Sequence, residues 1–495
     1  MKIKQPVVGL VAILFAAIAV AAVAVAGSPP QAIVVTVDTG AEVGSITTHL
    51  GTQFVWPGTF EGSAGSRARF NALAPPLVRI NATTLGAASV LPAGKRKGDW
   101  SFDNLNSIVN DVRAANSDVL LTVAYAPEWM WDCASSDVRD PTFGEFGDYM
   151  ARLVAYFNRG RFVAEDGREL INPAGVANRI AYWELWNEPD QIKGCPPMGN
   201  QITPAEYVAM WNGAVPKMIA VDPTIKIIGP ATSQAASARG ADYVPALMAG
   251  ATRKPDAISF HGYGGWLNSQ SDRFLFDGQG TGFGLDAVEQ GVARVKAWAP
   301  NTPVWITELN VDSAWDRDDP AGRPWTGFGA AWGASAFRGL ALAGADVILQ
   351  YQFSHPDLRQ FSLVDTHTGL PLLPYWRDFY LGRYLPPGSV LLGSSTNVAG
   401  VESLAARVPG SDTVHVLVVN RRAESDIAVG APGRPAKVRI DVKDPRWIGA
   451  VTARVLDSTT PLETGPPAIS FPTDEPIFIS FPGYGAAFLE FTGRL

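Results

Sequence analysis

The sequence predicts an α/β fold, a (β/α)8 barrel (TIM barrel) followed by a C-terminal antiparallel β-sandwich. Three observations predict it. From about residue 50 to 383, short apolar, β-branched runs alternate with amphipathic helical stretches, and there are eight such runs. Most of the runs are apolar almost throughout, as strands buried on both faces are. After Tyr384-Leu385-Pro386-Pro387-Gly388 the helical stripes stop, and short alternating strands separated by turn residues take over. A doubly wound sheet fits less well, because no Gly-x-Gly-x-x-Gly turn follows the first run.

In chain order, Lys2 and Lys4 precede an uncharged stretch from Pro6 to Ala26 that ends Ala24-Val25-Ala26. A basic flank, an apolar run and a small-x-small ending describe an export signal. The run is also long enough to span a bilayer. Residues 1–27 are therefore either a cleaved signal peptide or an N-terminal membrane anchor. The lysines place the rest of the chain outside the cytoplasm in both cases, so an extracellular or cell-envelope location is expected. Residues 28–47 form a linker with a strand, Ala32–Val37, expected to cross over and join the sandwich.

The barrel is expected over residues 48–383. Its strands are Thr52–Trp56, Leu77–Asn81, Val119–Tyr125, Ile180–Trp186, Lys226–Gly229, Ala257–His261, Val304–Glu308 and Val347–Gln352. Helical patterns fall between them, near 103–114, 204–220, 284–298 and 328–343. Another is marked by Phe146, Tyr149, Met150, Leu153, Val154 and Phe157, a single apolar stripe. The charged segment 160–177 reads as a surface excursion. An accessory sandwich follows over 384–495, with strands Ser389–Leu392, His415–Asn420, Lys437–Val442, Val451–Leu456 and Ala486–Phe491.

Composition excludes some functions. With 40 Lys plus Arg against 47 Asp plus Glu, the net charge of −7 comes without any basic run. Nucleic acid is therefore not an expected partner. The chain is rich in aromatic residues, whose ring faces suit sugar rings, although aromatics mostly fill cores. The two cysteines, Cys133 and Cys195, lie in loops after predicted strands. An even count in an exported protein points to a disulfide, with two buried thiols as the alternative. No His or Cys pair has ligand spacing, so no metal is expected, and no organic cofactor either. A Gly-x-Ser-x-Gly elbow, a His-Glu-x-x-His pair and a Gly-Lys-Ser/Thr phosphate loop are all missing from the sequence.

In such a barrel the catalytic groups stand at the C-terminal ends of strands. Strand four closes Tyr182-Trp183-Glu184-Leu185-Trp186-Asn187-Glu188-Pro189, and strand seven closes Val304-Trp305-Ile306-Thr307-Glu308-Leu309-Asn310. The two strands lie on opposite parts of the ring, so Glu188 and Glu308 can face each other across the mouth. Glycoside hydrolysis needs this pairing: one carboxylic acid protonates the leaving oxygen, and the other carboxylate meets the charge that develops on the anomeric carbon. The plainer reading makes each an ordinary acid near a helix N-terminus, where the dipole favours it.

The Asn187-Glu188-Pro189 element, with Thr307-Glu308 three strands on, resembles the clan A glycoside hydrolases. The longer string Trp183-Glu184-Leu185-Trp186-Asn187-Glu188-Pro189-Asp190 is similar to family 39 of that clan, which includes β-xylosidases, α-iduronidases and exopolysaccharide endoglycosidases. So are Val221-Asp222-Pro223-Thr224-Ile225-Lys226-Ile227-Ile228-Gly229-Pro230 and Pro127-Glu128-Trp129-Met130. The resemblance covers about residues 50–383. It implies that Glu188 is the general acid/base and Glu308 the nucleophile of a configuration-retaining mechanism. It also implies that Asn187 binds the hydroxyl beside the anomeric carbon. Family 39 xylosidases carry His-Gly after the strand-two Arg where this chain has Asn81-Ala82, which puts xylosidase specificity in doubt.

The resemblance further makes His261 and Tyr263, at the end of strand six, candidates for contact with the nucleophile. Arg79, at the end of strand two, is expected either to hold Glu308 ionised or to pair structurally with Glu184. Trp56, Trp129, Trp131, Trp186 and Trp266 fall in or just after strand ends, and Trp129 and Trp266 are the favoured sugar platforms because they follow strands. The functional expectation is a retaining glycosidase acting on an extracellular polysaccharide or glycoconjugate. The alternatives are an inactive carbohydrate-binding protein and an envelope-remodelling transglycosylase.

Overall fold

The computed structural model describes residues 32–54, 59–60, 63–82, 96–132, 137–191, 201–235, 239–443, 450–472 and 475–493. The N-terminal segment 1–27, Trp56, Cys133 and Cys195 lie outside the described residues. Among those described, no helix is long and apolar enough to cross a membrane.

Eight parallel strands close a barrel in chain order: His49–Phe54, Leu77–Ala82, Asp118–Val123, Tyr182–Leu185, Lys226–Thr232, Ala257–Gly265, Val304–Asp312 and Val347–Gln350. The eighth pairs with the first, so the sheet has no edge. The sixth and seventh strands are buried at every position, which is why each reads as an almost unbroken apolar run. The barrel interior is divided along its axis. Leu77, Leu120, Ile228, Trp305, Val347 and Leu349 form an apolar plug toward the N-terminal ends of the strands. Toward the C-terminal ends the inward positions are polar and buried: Gln53, Arg79, Thr122, Glu184, Ser259 and His261. A polar layer above an apolar plug commits the C-terminal mouth to chemistry.

The helices outside the ring follow from their stripes. Phe146, Tyr149, Met150, Leu153, Val154 and Phe157 are all buried along Gly144–Arg159. Pro204–Val221 opens on a reciprocal capping box between Thr203 and Glu206. Leu373–Tyr384 carries no readable stripe because it is covered on most sides, between barrel and sheet. The charged segment after Gly144–Arg159 folds into a small hairpin, Arg161–Val163 against Glu169–Ile171.

The C-terminal region forms a nine-stranded sheet whose strands all contribute to one inner core. The strand Ile33–Ser45 belongs to it, antiparallel to Val390–Thr396 and parallel to Ala436–Val442. That parallel pair departs from an all-antiparallel sandwich. It arises because the strand enters from the far end of the chain, with the whole barrel as its crossover. Register shifts between Asp38 and Gly44 bend it. The outer face of the sheet, with Leu404, Leu417, Val419 and Phe488, merges with the barrel's own core. Phe488 packs against Tyr380 and Tyr384 of the last barrel helix, with ring centroids 5.6 and 5.8 Å apart.

Candidate active site

Strand register places the polar layer. Gln53 lies opposite Arg79, and Thr122 lies opposite Glu184. Their side chains meet: Arg79 Nη1 donates to Gln53 Oε1 at 3.0 Å, and Thr122 Oγ1 donates to Glu184 Oε2 at 2.7 Å. On the other side of the ring His261 lies opposite Glu308 and Tyr263 opposite Asn310, after a register shift between Phe260 and His261. His261 and Tyr263 share the inward face with Ser259 by strand alternation; the shift skips Thr307 on the seventh strand and so sets Glu308, three residues after the inward Trp305, on that face beside them.

Arg79 is the hub, and it contacts both of the acids read as its partners. Its Nε donates to Glu184 Oε2 at 2.7 Å, Nη1 to Glu308 Oε1 at 2.6 Å, and Nη2 to Asn187 Oδ1 at 2.7 Å. It is fully buried, as is Glu184. Burial opposes the charge of each, but their mutual attraction outweighs it: the guanidinium is held more basic and Glu184 is held below its ordinary range. Glu308 is gripped twice, because Tyr263 Oη donates to its Oε2 at 2.6 Å. Both oxygens of this carboxylate are thus fixed by charge-assisted or short hydrogen bonds. Burial first, and then the charge of Glu308, push the Tyr263 phenol well above its usual pKa, so it stays a donor.

His261 stands between the two acids. Its Nδ1 is 2.9 Å from Glu188 Oε1 and 3.5 Å from Glu308 Oε2. Burial lowers its basicity, but the charge of Glu308 and the hydrogen bond to Glu188 prevail and raise its pKa. One carboxylate oxygen of Glu188 and one of Glu308 lie within 4.8 Å of each other. The Glu188 side chain is 18% exposed and that of Glu308 7%, so the first has the better path to solvent and the second is the more tightly held.

The chain is strained where it delivers Glu188. Trp186 and Glu188 both have left-handed backbone, with φ of 71° and 49°. Each costs on the order of 1–3 kcal/mol, tolerated only where the surroundings over-determine it. Here Trp186 N donates to Val123 O at 3.0 Å and Glu188 N donates to Ala231 O at 2.9 Å, tying the turn to the strands on either side. Next to it Asp190 is buried, its oxygens held by Ser233 N at 2.9 Å and Ser233 Oγ at 2.6 Å. Burial and the charge of Glu188 push Asp190 up to about 6.

Glu188, Glu308, Asn187, Arg79, His261 and Tyr263 thus converge. Trp266 lies on the same side of the mouth, 42% exposed, lining a cleft of about 620 Å³ that also includes Glu188 and Tyr263. Trp129 does not line that cleft: it is partly buried against the core, and Lys97 Nζ sits 5.3 Å over its ring. Trp131 and Trp186 are fully buried core residues. Sequence reasoning missed Gln53, Thr122, Tyr125, Asp190 and Tyr351. Tyr125 and Tyr351 are buried near both acids, and burial with the charges of Glu188 and Glu308 raises both phenols. In-register pairing with Arg79 and Glu184 was the available signal for Gln53 and Thr122; the others had none.

Residues 172–323, which hold Glu188, His261, Tyr263 and Glu308, match the family model described as "glycosyl hydrolase catalytic core". Over this stretch the chain is similar to a glycoside hydrolase catalytic core. This core sits in a fold shared with solved clan A enzymes. A family 39 β-xylosidase from Caulobacter crescentus aligns with a TM-score of 0.61 at 15% identity, over 93% of this chain and 99% of that one. The family 39 enzyme from Xanthomonas axonopodis pv. citri aligns at 0.63 and 14% identity, over 94% and 98%. A family 30 endoxylanase from Clostridium papyrosolvens C71 aligns at 0.59 and 13% identity, over 93% and 100%. At these identities the likeness is one of fold. Curated protein sequences yield no match.

Proposed function

We propose that the protein is an exported, configuration-retaining O-glycoside hydrolase acting on an extracellular polysaccharide or glycoconjugate. Glu308 is its nucleophile and Glu188 its acid/base. The observation that carries this reading is that one oxygen of each carboxylate lies within 4.8 Å of the other, with Glu308 fixed through both oxygens and Glu188 left more open; the separation of the groups as wholes is larger than this nearest approach. Retaining enzymes set their carboxyl groups about 5–5.5 Å apart, and inverting ones about 6.5–9.5 Å apart, to admit a water.

In the first step a Glu308 oxygen bonds to the anomeric carbon as the bond to the leaving oxygen breaks, and Glu188 gives that oxygen its proton. In the second, water attacks the same carbon, Glu188 takes a proton from it, and the Glu308 ester is released as carboxylate. Arg79 and Tyr263 hold Glu308 in line throughout. Asn187 Oδ1 is occupied by Arg79, so the group it has left to offer the hydroxyl beside the reacting carbon is its amide nitrogen, which lies beside the Tyr125 hydroxyl. The test is proton NMR of the first-formed product on a panel of glycans. Retained anomeric configuration supports the mechanism, and inverted configuration rejects it.

A further inference from the structure

The cleft beside Glu188 is lined by that acid and not by Glu308. In a double displacement the nucleophile and the departing oxygen lie on opposite faces of the anomeric carbon, so space on the acid's side receives the leaving group. The walls come from loops after strands four to seven and are hydroxyls and amides, among them Gln191, Ser233, Gln234 and Thr281. Aromatic surface is offered by the exposed Trp266 ring, which is braced edgewise by Phe274 at 5.7 Å and packed at 4.2 Å between centroids on Phe283, itself part of the lining.

One cation stands in this cleft among the described residues, Arg239. It is exposed, and it makes no ion pair or hydrogen bond among the described residues. Other arginines around the barrel are matched: Arg152 to Glu165, Arg179 to Asp222 and Arg323 to Asp319. Among the described residues the one carboxylate in the lining is Glu188 itself, which the acid role requires to carry its proton when substrate arrives. In the state that meets substrate, the formal charge of the cleft is therefore that of Arg239 alone. An unmatched guanidinium in a concave, partly enclosed site favours an anion, which it can bind through two parallel hydrogen bonds.

We infer that the cleft is a leaving-group subsite for an acidic sugar, whose carboxylate or sulfate pairs with Arg239 while its ring lies on Trp266. This rests on the reading of Glu188 as the acid. The test is calorimetric binding to Glu308→Gln protein, which cannot turn over its ligand. Three oligosaccharide probes are compared: one ending in a hexuronate at its reducing end, the same one with that carboxyl reduced to an alcohol, and one bearing sulfate there. The acidic probes should bind about 10- to 100-fold more tightly than the reduced one, the range for a hydrogen bond to a charged group. The preference should shrink with added salt. Comparing uronate with sulfate shows which anion the site takes. Arg239→Gln should bring the acidic probe down to the neutral one, and Trp266→Ala should weaken both.

Equal affinity for the acidic and reduced probes, or a preference that survives Arg239→Gln, overturns the inference. If wild-type protein hydrolyses glycosides while showing no acidic preference, the inference falls and the glycosidase reading stands. If no probe binds and no glycoside is hydrolysed, both fall.

Discussion

At the residue scale the site is a chain of buried charges meeting at Arg79. Removing one partner of such a pair leaves an uncompensated charge and costs about 3–5 kcal/mol. Glu184→Ala should therefore lower the unfolding free energy by about that much, read by urea unfolding, and should also slow catalysis by freeing Arg79 from its seat. Arg79→Lys keeps the charge but not the fork that reaches Glu184, Glu308 and Asn187 together. We expect it to cost activity far more than stability. Glu188→Gln should reduce hydrolysis about 10²–10⁴-fold for poor leaving groups and much less for activated aryl glycosides, since only the former need the proton. Equal losses on both would remove Glu188 from the acid role.

At the element scale much was legible. All eight barrel strands overlap the mostly apolar runs that predicted them, the first beginning three residues earlier than expected, because a strand buried on both faces has no polar side to hide the signal. Glu188, Glu308, Asn187, Arg79, His261 and Tyr263 could be placed because each closes a strand or follows it. Trp129 also follows a strand but lies outside the cleft that Trp266 lines, because following a strand says nothing about which side a side chain packs on. Helix Leu373–Tyr384 stayed hidden because it is sandwiched and shows no polar stripe. Asp190, Tyr125 and Tyr351 act through closeness in space that no local pattern encodes.

Helix Leu285–Trp298 yields a pH prediction. Glu289 on this helix lays its carboxyl against Gly339, where a Cβ would lie 1.7 Å from its Oε1 and push the carboxyl aside. Burial first, then the charges of Asp286 and Glu402, raise Glu289 to about 7 from its ordinary value of 4.5. A carboxyl whose folded pKa is raised supports the fold while protonated. That support is complete below about 4.5 and is lost as pH rises through about 7. Glu289→Gln should thus stabilise the protein at pH 8 by up to about 3 kcal/mol and change little at pH 4. Thermal unfolding at the two pH values decides it; a gain of equal size at both would show that charge is not the cause.

At the scale of the whole molecule the C-terminal sheet does more than pad the barrel. Asp272, fully buried, accepts hydrogen bonds from Gly430 N at 2.7 Å and Ala431 N at 3.0 Å, while its own N donates to Ala428 O at 2.8 Å. Arg273 pairs with Asp426, and Gln279 Nε2 donates to Asp426 O at 2.8 Å. These contacts pin the segment that carries Thr281, Gly282 and Phe283, part of the wall of the leaving-group cleft. Cutting the exposed Arg273–Asp426 link with Asp426→Ala should raise KM for oligosaccharides several-fold while sparing small aryl glycosides, which do not fill that cleft. A uniform loss on both substrate types would instead assign the contact to stability alone.

The central claim is that Glu308 attacks the sugar and holds it covalently. Intact-mass analysis after incubation with a panel of activated 2-deoxy-2-fluoro glycosides, followed by peptide mapping, tests this most directly. Such sugars slow both steps, while a good leaving group lets the intermediate accumulate. A single sugar-mass adduct on the peptide containing Glu308, lost in Glu308→Gln, is the predicted result. An adduct on another residue, or steady hydrolysis of these glycosides by Glu308→Gln at the wild-type rate, would contradict it.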